Sequence, residues 1–276
     1  NSILAFFAII FSLCYFIYVI FIFVSLFKLV CLVTDWRCRV HVVNTLCIVQ
    51  ARLTSSRLPE KVLMELGNSG LSILEHVNMR LNKSLKIDKV VFAIPDTRLN
   101  DKLADFLENK KIEYCRGSEN DVLGRFYHCA EKYNPELIVR ATCDNPCVDW
   151  HLADEMIENW GDADYMYCKE TPLGTSVEVF TKHALNEAYH HAKTPEEREH
   201  VCPYIARNEK NICKQYPYNK LSYRLTVDEE ADFLLMNEIY KQLYKNAPIE
   251  NKMIYEYLEK HQELLGINSK VKQKFL

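Results

Sequence analysis

The sequence predicts an α/β fold, a three-layer α/β/α sandwich on a mostly parallel sheet. Two observations lead there. Beyond residue 44, short apolar runs rich in β-branched residues alternate with amphipathic stretches, the rhythm of strands and their covering helices. Polar and charged loops follow the carboxyl ends of several apolar runs, which is where open α/β sheets bind ligands. No internal repeat or low-complexity linker breaks the alternation, so residues 42–276 read as one domain.

The elements follow in order. Residues 45–49 read as a buried strand, 90–94 and 137–141 as two more, and 112–115 as a shorter one. Residues 71–81, 99–107 and 122–133 carry apolar side chains at three- and four-residue spacing and read as helices. Asp149 caps a further helix, with Pro146 preventing an earlier start. The second half is less regular. A strand at 177–180 precedes a helix containing His190 and His191, and 197–207 reads as one helical stretch. Residues 212–218 and 222–227 read as strands around a turn at Asn219-Lys220, and helices from Glu229 and Glu250 close the chain.

A chain of 276 residues with 49% hydrophobic content is globular, and a formal charge of −3 gives no broad attraction for nucleic acid or anionic lipid. An anionic substrate must therefore be held by local cations. The 11 cysteines are scattered without a CxxC pair, and Cys143 and Cys147 have no second pair to complete a zinc site, so reduced thiols in a cytosolic enzyme are expected.

Residues 1–41 form a separate segment. Residues 1–27 are uncharged and apolar enough to span a bilayer, and Lys28, Arg37 and Arg39 then place the rest of the chain in the cytoplasm by the positive-inside rule. The competing expectation is an over-extended reading frame, since the segment starts with Asn1 and has the Phe/Ile/Tyr/Leu mixture of translated AT-rich DNA. Both expectations leave the chemistry in the cytoplasm, with membrane contact only if the segment is genuine.

The most informative run is Gln50-Ala51-Arg52-Leu53-Thr54-Ser55-Ser56-Arg57-Leu58-Pro59-Glu60-Lys61, directly after the first strand. Guanidinium forks, an ammonium and hydroxyls in one loop suit a polyphosphate; the alternative is a solvated basic surface loop. Asp144 follows the strand ending in Arg140-Ala141-Thr142 and can hold Mg²⁺, which takes one or two carboxylates plus substrate phosphates; its alternative role is a turn. Asp228, before Glu229-Glu230, and Asp121, before Val122, both read as helix N-caps. The Asp162-Ala163-Asp164 triplet precedes an apolar run instead of following a strand, and reads as a turn.

Taken together these runs resemble the cytidylyltransferases that make CMP-activated acidic sugars, closest to the spore coat polysaccharide biosynthesis protein F branch and related to CMP-Kdo synthetase and acylneuraminate cytidylyltransferase. The similarity covers residues 44–264 through Q-A-R-x-x-S-x-R-L-P-x-K-V-L, R-G-S-x-x-D-V-L-x-R-F from Arg116, R-x-T-C-D-x-P from Arg140, G-x-x-V-E-V-F from Gly174, E-R-E-H-V-C-P-Y from Glu197 and R-L-T-V-D from Arg224. The resemblance implies a nucleotide-diphospho-sugar transferase (GT-A-like) fold, a homodimer, CTP and an acidic sugar as substrates, and Mg²⁺. It implies CTP contacts from Gln50, Ala51, Arg52, Ser55, Arg57, Lys61, Asp121, Arg125 and Arg140, with Arg52 and Lys61 stabilising the leaving pyrophosphate. Asp144 and Asp228 are implied as one metal site, and Glu178, Arg198 and His200 as sugar contacts. Equally weighted alternatives are that Arg198 and Glu199 form helix-surface ion pairs and that His200 is a packed interface residue. Arg52 and Lys61 are expected to face solvent in the free enzyme. Cys143 replaces the family's usual Gly beside the metal, which puts the local backbone in question. Two other functions compete: a membrane-anchored GT-A glycosyltransferase using a nucleotide-sugar, for which the cationic loop is too rich, and a non-catalytic homologue with a metal site spoiled at Cys143.

Overall fold

The computed structural model describes residues 44–208, 210–217 and 222–273. The apolar segment at 1–41 and the Asn219-Lys220 turn lie outside them, and no helix among the described residues is long and apolar enough to cross a membrane.

Seven strands form one sheet in the order β3-β2-β1-β4-β6-β5-β7. They are β1 (Thr45–Gln50), β2 (Lys89–Pro95), β3 (Tyr114–Gly117), β4 (Leu137–Thr142), β5 (Tyr165–Cys168), β6 (Glu178–Thr181) and β7 (Cys213–Tyr216). β6 runs antiparallel to both neighbours; the other pairings are parallel. β1 is central because both its faces are apolar. Cys47 and Val49 enter one core and Leu46 and Ile48 the other, the alternation that a period of two imposes on a strand covered on both sides.

The first core is covered by α1 (Ile73–Leu81), α2 (Asp101–Asn109), α4 (Trp150–Glu158), α8 (Glu230–Leu243) and α9 (Asn251–Lys260). The second is covered by α3 (Val122–Tyr133), α5 (Lys182–His191), α6 (Pro195–His200) and α7 (Cys202–Arg207). Side-chain caps set several helix starts. Ser72 and Glu75 form a capping box on α1, Asp121 accepts from the Gly124 amide at 2.9 Å, and Asp149 accepts from the His151 and Leu152 amides.

Two elements differ from expectation. The stretch at 197–207 is two helices, because Pro203 offers no amide to continue α6 and Val201 turns the chain at φ 68°. Positive φ is costly for a β-branched residue; full burial of the Val201 side chain accompanies it here. Residues 222–227 add no strand to the sheet. Leu225 N bonds Leu173 O at 2.7 Å and Val227 N bonds Asp144 O at 2.8 Å, so this extended segment runs beside the loops that leave the sheet. Gly174 permits that approach: at φ +94° a Cβ there would lie 2.6 Å from the Thr226 nitrogen. Conversely the run after Asp164, unassigned from sequence, forms β5.

Because β2 and β4 lie on opposite sides of β1, the chain reverses its winding direction between β1 and β4. The loops after these two strands therefore diverge and leave a crevice at their carboxyl ends.

Candidate active site

A cleft of about 560 Å³ occupies that crevice. From the loop after β1 it is lined by Gln50, Ala51, Arg52, Ser55, Arg57 and Lys61; from β4 and its loop by Arg140, Cys143 and Asp144. Arg125, His200 and Asp228 complete the set drawn from distant parts of the sequence.

Lys61 is the centre of its charge network. Its Nζ donates to Asp144 Oδ2 at 2.8 Å, Asp228 Oδ1 at 3.1 Å and Val227 O at 2.6 Å. The two carboxylate oxygens are thus no further apart than those two contacts laid end to end, a span one Mg²⁺ with ~2.1 Å bonds can cover with a bridging water. Asp228 does not cap α8. Its side chain instead meets Arg57 at 3.2 Å and Arg224 at 3.0 Å, while Asp232 accepts from the Asp228 and Glu229 amides. Burial alone would raise the Asp228 carboxyl, but Lys61, Arg57 and Arg224 outweigh it and hold it below the usual aspartate value. Burial would likewise lower the Lys61 ammonium, and Asp144 and Asp228 more than offset that, leaving it raised. Contrary to expectation Lys61 does not face solvent: its residue exposure is 6%, because the ammonium is enclosed between two carboxylates. Arg52 does face solvent, with its side chain 46% exposed and a loose 3.7 Å contact to Glu199.

The second wall is set by strand register. Arg140 on β4 pairs with Glu178 on β6, and the Glu178 carboxylate takes both the Arg140 guanidinium and the Tyr165 hydroxyl. A second nitrogen of Arg140 donates to Gln50 Oε1 at 3.1 Å. Glu178 thus lies behind Arg140 and is absent from the cleft lining, so its geometry is that of a residue orienting Arg140. Arg125 is buried and donates to Ser118 O at 2.6 Å; burial, then the neighbouring charge of Arg52, lowers its pKa to about 10. Its Nε and that of Arg140 have no hydrogen-bond partner among the described residues, although both residues line the cleft.

Two further expected contacts do not reach the cleft lining. Asp121 is engaged as the α3 cap. Arg198 donates to Asp121 at 3.4 Å and to the Tyr189 and Ala192 carbonyls at 2.8 and 3.1 Å, fastening α6 to α3 and α5. That geometry matches the ion-pair alternative for Arg198. His200 does line the cleft, and burial pushes its imidazole below the usual range. Cys143 causes no distortion: it is outside the positive-φ residues, its amide bonds Gln50 O at 3.0 Å, and its thiol is buried in the first core. The position therefore has no conformational need for glycine in this chain.

Thr226 and Gln273 line the cleft without having been singled out from the sequence, and Glu199, expected only in a helix-surface ion pair, lines it too. Glu199 and Thr226 sit inside recognised blocks, beside His200 and Asp228. Gln273 carries no local signal; a 2.5 Å hydrogen bond from Arg224 brings it there. Among the described residues no three His, Cys, Asp or Glu side chains converge as a metal-binding group. Two carboxylates without a third protein ligand are the donor set that suits Mg²⁺ shared with phosphate oxygens. Asp162 and Asp164 serve elsewhere, pairing with Lys214 at 2.6 Å and accepting from the Ile212 amide at 3.0 Å.

A cationic loop after the first strand, facing two carboxylates across a topological switch point, defines the class as an α/β nucleotidyltransferase. The chain belongs to the cytidylyltransferase family, whose model matches residues 46–273. It is 37% identical to an uncharacterized protein of Methanocaldococcus jannaschii over 82% of this chain and 95% of that one. It is 36% identical to the spore coat polysaccharide biosynthesis protein SpsF of Bacillus subtilis over 74% of this chain and 88% of the relative. A solved cytidylyltransferase from Leptospira borgpetersenii superposes with a TM-score of 0.75 at 26% identity, covering 85% of this chain and 100% of that structure.

Proposed function

We propose that the enzyme transfers CMP from CTP to the anomeric hydroxyl of an acidic sugar, of nonulosonate or similar type, for surface polysaccharide synthesis. The observation that carries this reading is the meeting of Arg52, Arg57 and Lys61 with Asp144 and Asp228 in one cleft. The spore coat polysaccharide relative supports a sugar acceptor. In the reaction the sugar oxygen forms a bond to the α-phosphorus, the bond to pyrophosphate breaks, and the hydroxyl proton passes to water.

Arg52, Ser55, Arg57 and Lys61 would hold the triphosphate, and Arg52 and Lys61 would stabilise charge on the departing pyrophosphate. Gln50, Ala51, Arg125 and Arg140 would complete the nucleotide contacts, and His200 would face the sugar. Asp144 and Asp228 would hold Mg²⁺, which when bound supplies charge neutralisation at the phosphates. The remainder is alignment of nucleophile and phosphorus. The free thiols among the described cysteines and the need for CTP support a cytoplasmic enzyme, and the family resemblance would make it a homodimer.

The test is an assay with CTP, Mg²⁺ and a panel of nonulosonic and octulosonic acids, read as pyrophosphate release. Release dependent on one of these acids is expected. Release with neutral sugars alone would overturn the assignment of an acidic acceptor.

A further inference from the structure

We propose that Lys61 is a resident counter-ion: without ligands its ammonium holds the place between Asp144 and Asp228 that a divalent cation takes, and an entering polyphosphate draws it away. This rests on reading the cleft as a metal-assisted nucleotide site.

A lysine ammonium has three donors, and here all three are used, on Asp144, Asp228 and Val227 O. Lys61 therefore cannot bind a phosphate oxygen without giving up a present partner. Both oxygens of Asp228 are also occupied, Oδ1 by Lys61 and Arg57 and Oδ2 by Arg224. A metal ion arriving alone meets three fixed cations around its ligands. A triphosphate changes that balance, since its oxygens offer new partners to Lys61 and Arg57 while adding negative charge for the metal. The backbone keeps the ammonium in place beforehand. Glu60 adopts φ 56°, and Lys61 opens a single 3-10 turn (Lys61–Leu63) with its stem buried. Metal and polyphosphate should consequently bind cooperatively, each improving the affinity of the other by the same factor.

The test uses Mn²⁺ alone, without nucleotide, on the full chain, with free Mn²⁺ followed by its electron paramagnetic resonance signal. Lys61→Met and Lys61→Gln should bind Mn²⁺ about tenfold or more tightly than the wild type, within the usual range of coupling between sites. Adding Asp144→Asn to Lys61→Gln should remove the gain. Glutamine retains a donor for Val227 O, which guards against a folding failure. Equal Mn²⁺ affinity in the wild type and Lys61→Gln would overturn the proposal. If neither variant folds, Mn²⁺ during refolding decides: recovery of Lys61→Gln with Mn²⁺ but not with Na⁺ at equal ionic strength supports it, and no recovery overturns it. Failure of the enzymatic reading looks different, as absent pyrophosphate release from the wild type while Lys61→Gln still gains Mn²⁺ affinity.

Discussion

Arg52 and Lys61 stand in one loop, yet their substitution should have opposite profiles. Arg52 is half exposed with one loose partner, so Arg52→Ala should leave the melting temperature unchanged. Turnover should fall by about two orders of magnitude or more, the scale of a lost transition-state donor. Lys61→Ala removes the ammonium that sits between two largely enclosed carboxylates. Stability should fall at pH 7 by up to about 3 kcal/mol, the low end for a buried ion pair that loses one partner, because Asp228 keeps Arg57 and Arg224; urea unfolding measures it. Wild-type stability in Lys61→Ala would sink the enclosed-network description. Acid should act through Asp228. Its carboxyl is depressed in the folded state, so its contribution is complete above the ordinary aspartate value and is lost as pH falls through the depressed one. Lys61, raised, contributes fully below the ordinary lysine value and is lost only as pH rises through its folded value. Between those limits both Asp228 and Lys61 contribute fully. Asp228→Asn should therefore show a shallower loss of stability than wild type when urea midpoints are compared from pH 6 down to about 3. The residue types of this site were legible, because cations after a first strand and carboxylates after later ones carry a chemical meaning. Burial of Lys61 was not, since nothing local tells which carboxylates a long flexible side chain will reach.

At the scale of elements, the segment leading to Asp228 depends on a close backbone approach. Gly174 faces Leu225 and Thr226 so tightly that a Cβ would meet backbone atoms at 2.6–2.8 Å, and its φ is +94°. Gly174→Ala should displace residues 224–227 and with them Asp228. We expect loss of about 2 kcal/mol or more of stability, since both strain and a steric clash are introduced, together with weaker Mg²⁺-dependent turnover. Unchanged unfolding and activity would show that the approach is slack. The element shows why 222–227 read as a strand from sequence. Its alternating Tyr223, Leu225 and Val227 have strand periodicity, and the chain is indeed extended. Its partners are Leu173 and the Asp144 loop, a tertiary choice that periodicity does not record. The helix at 122–133 was legible to the residue because cap, periodicity and the αL ending at Asn134 agree. The break at Val201 was not: Pro203 was visible, but a helix tolerates proline in its first turn, so the sequence fits one helix with a kink or two helices.

In the whole molecule, one crevice gathers groups from strands that the winding reversal sets apart. If Asp144 and Asp228 hold one Mg²⁺ as proposed, they act as one unit despite their sequence separation, and their substitutions should not add. Asp144→Asn and Asp228→Asn should each abolish Mg²⁺-dependent turnover, with the double variant losing little more; multiplicative losses would mean two separate roles. Completeness of the domain offers the last test. The sheet begins at Thr45, and the first described residue, Asn44, is already anchored, its amide bonding Asp88 at 2.9 Å and its carbonyl taking the Glu136 and Leu137 amides. A chain starting at Val43 should accordingly fold, with cooperative urea unfolding, and should release pyrophosphate at the rate of the full chain within about threefold, a change of under 1 kcal/mol in barrier. Loss of activity in that shorter chain, while the full chain works in detergent, would assign the apolar segment a part in the chemistry.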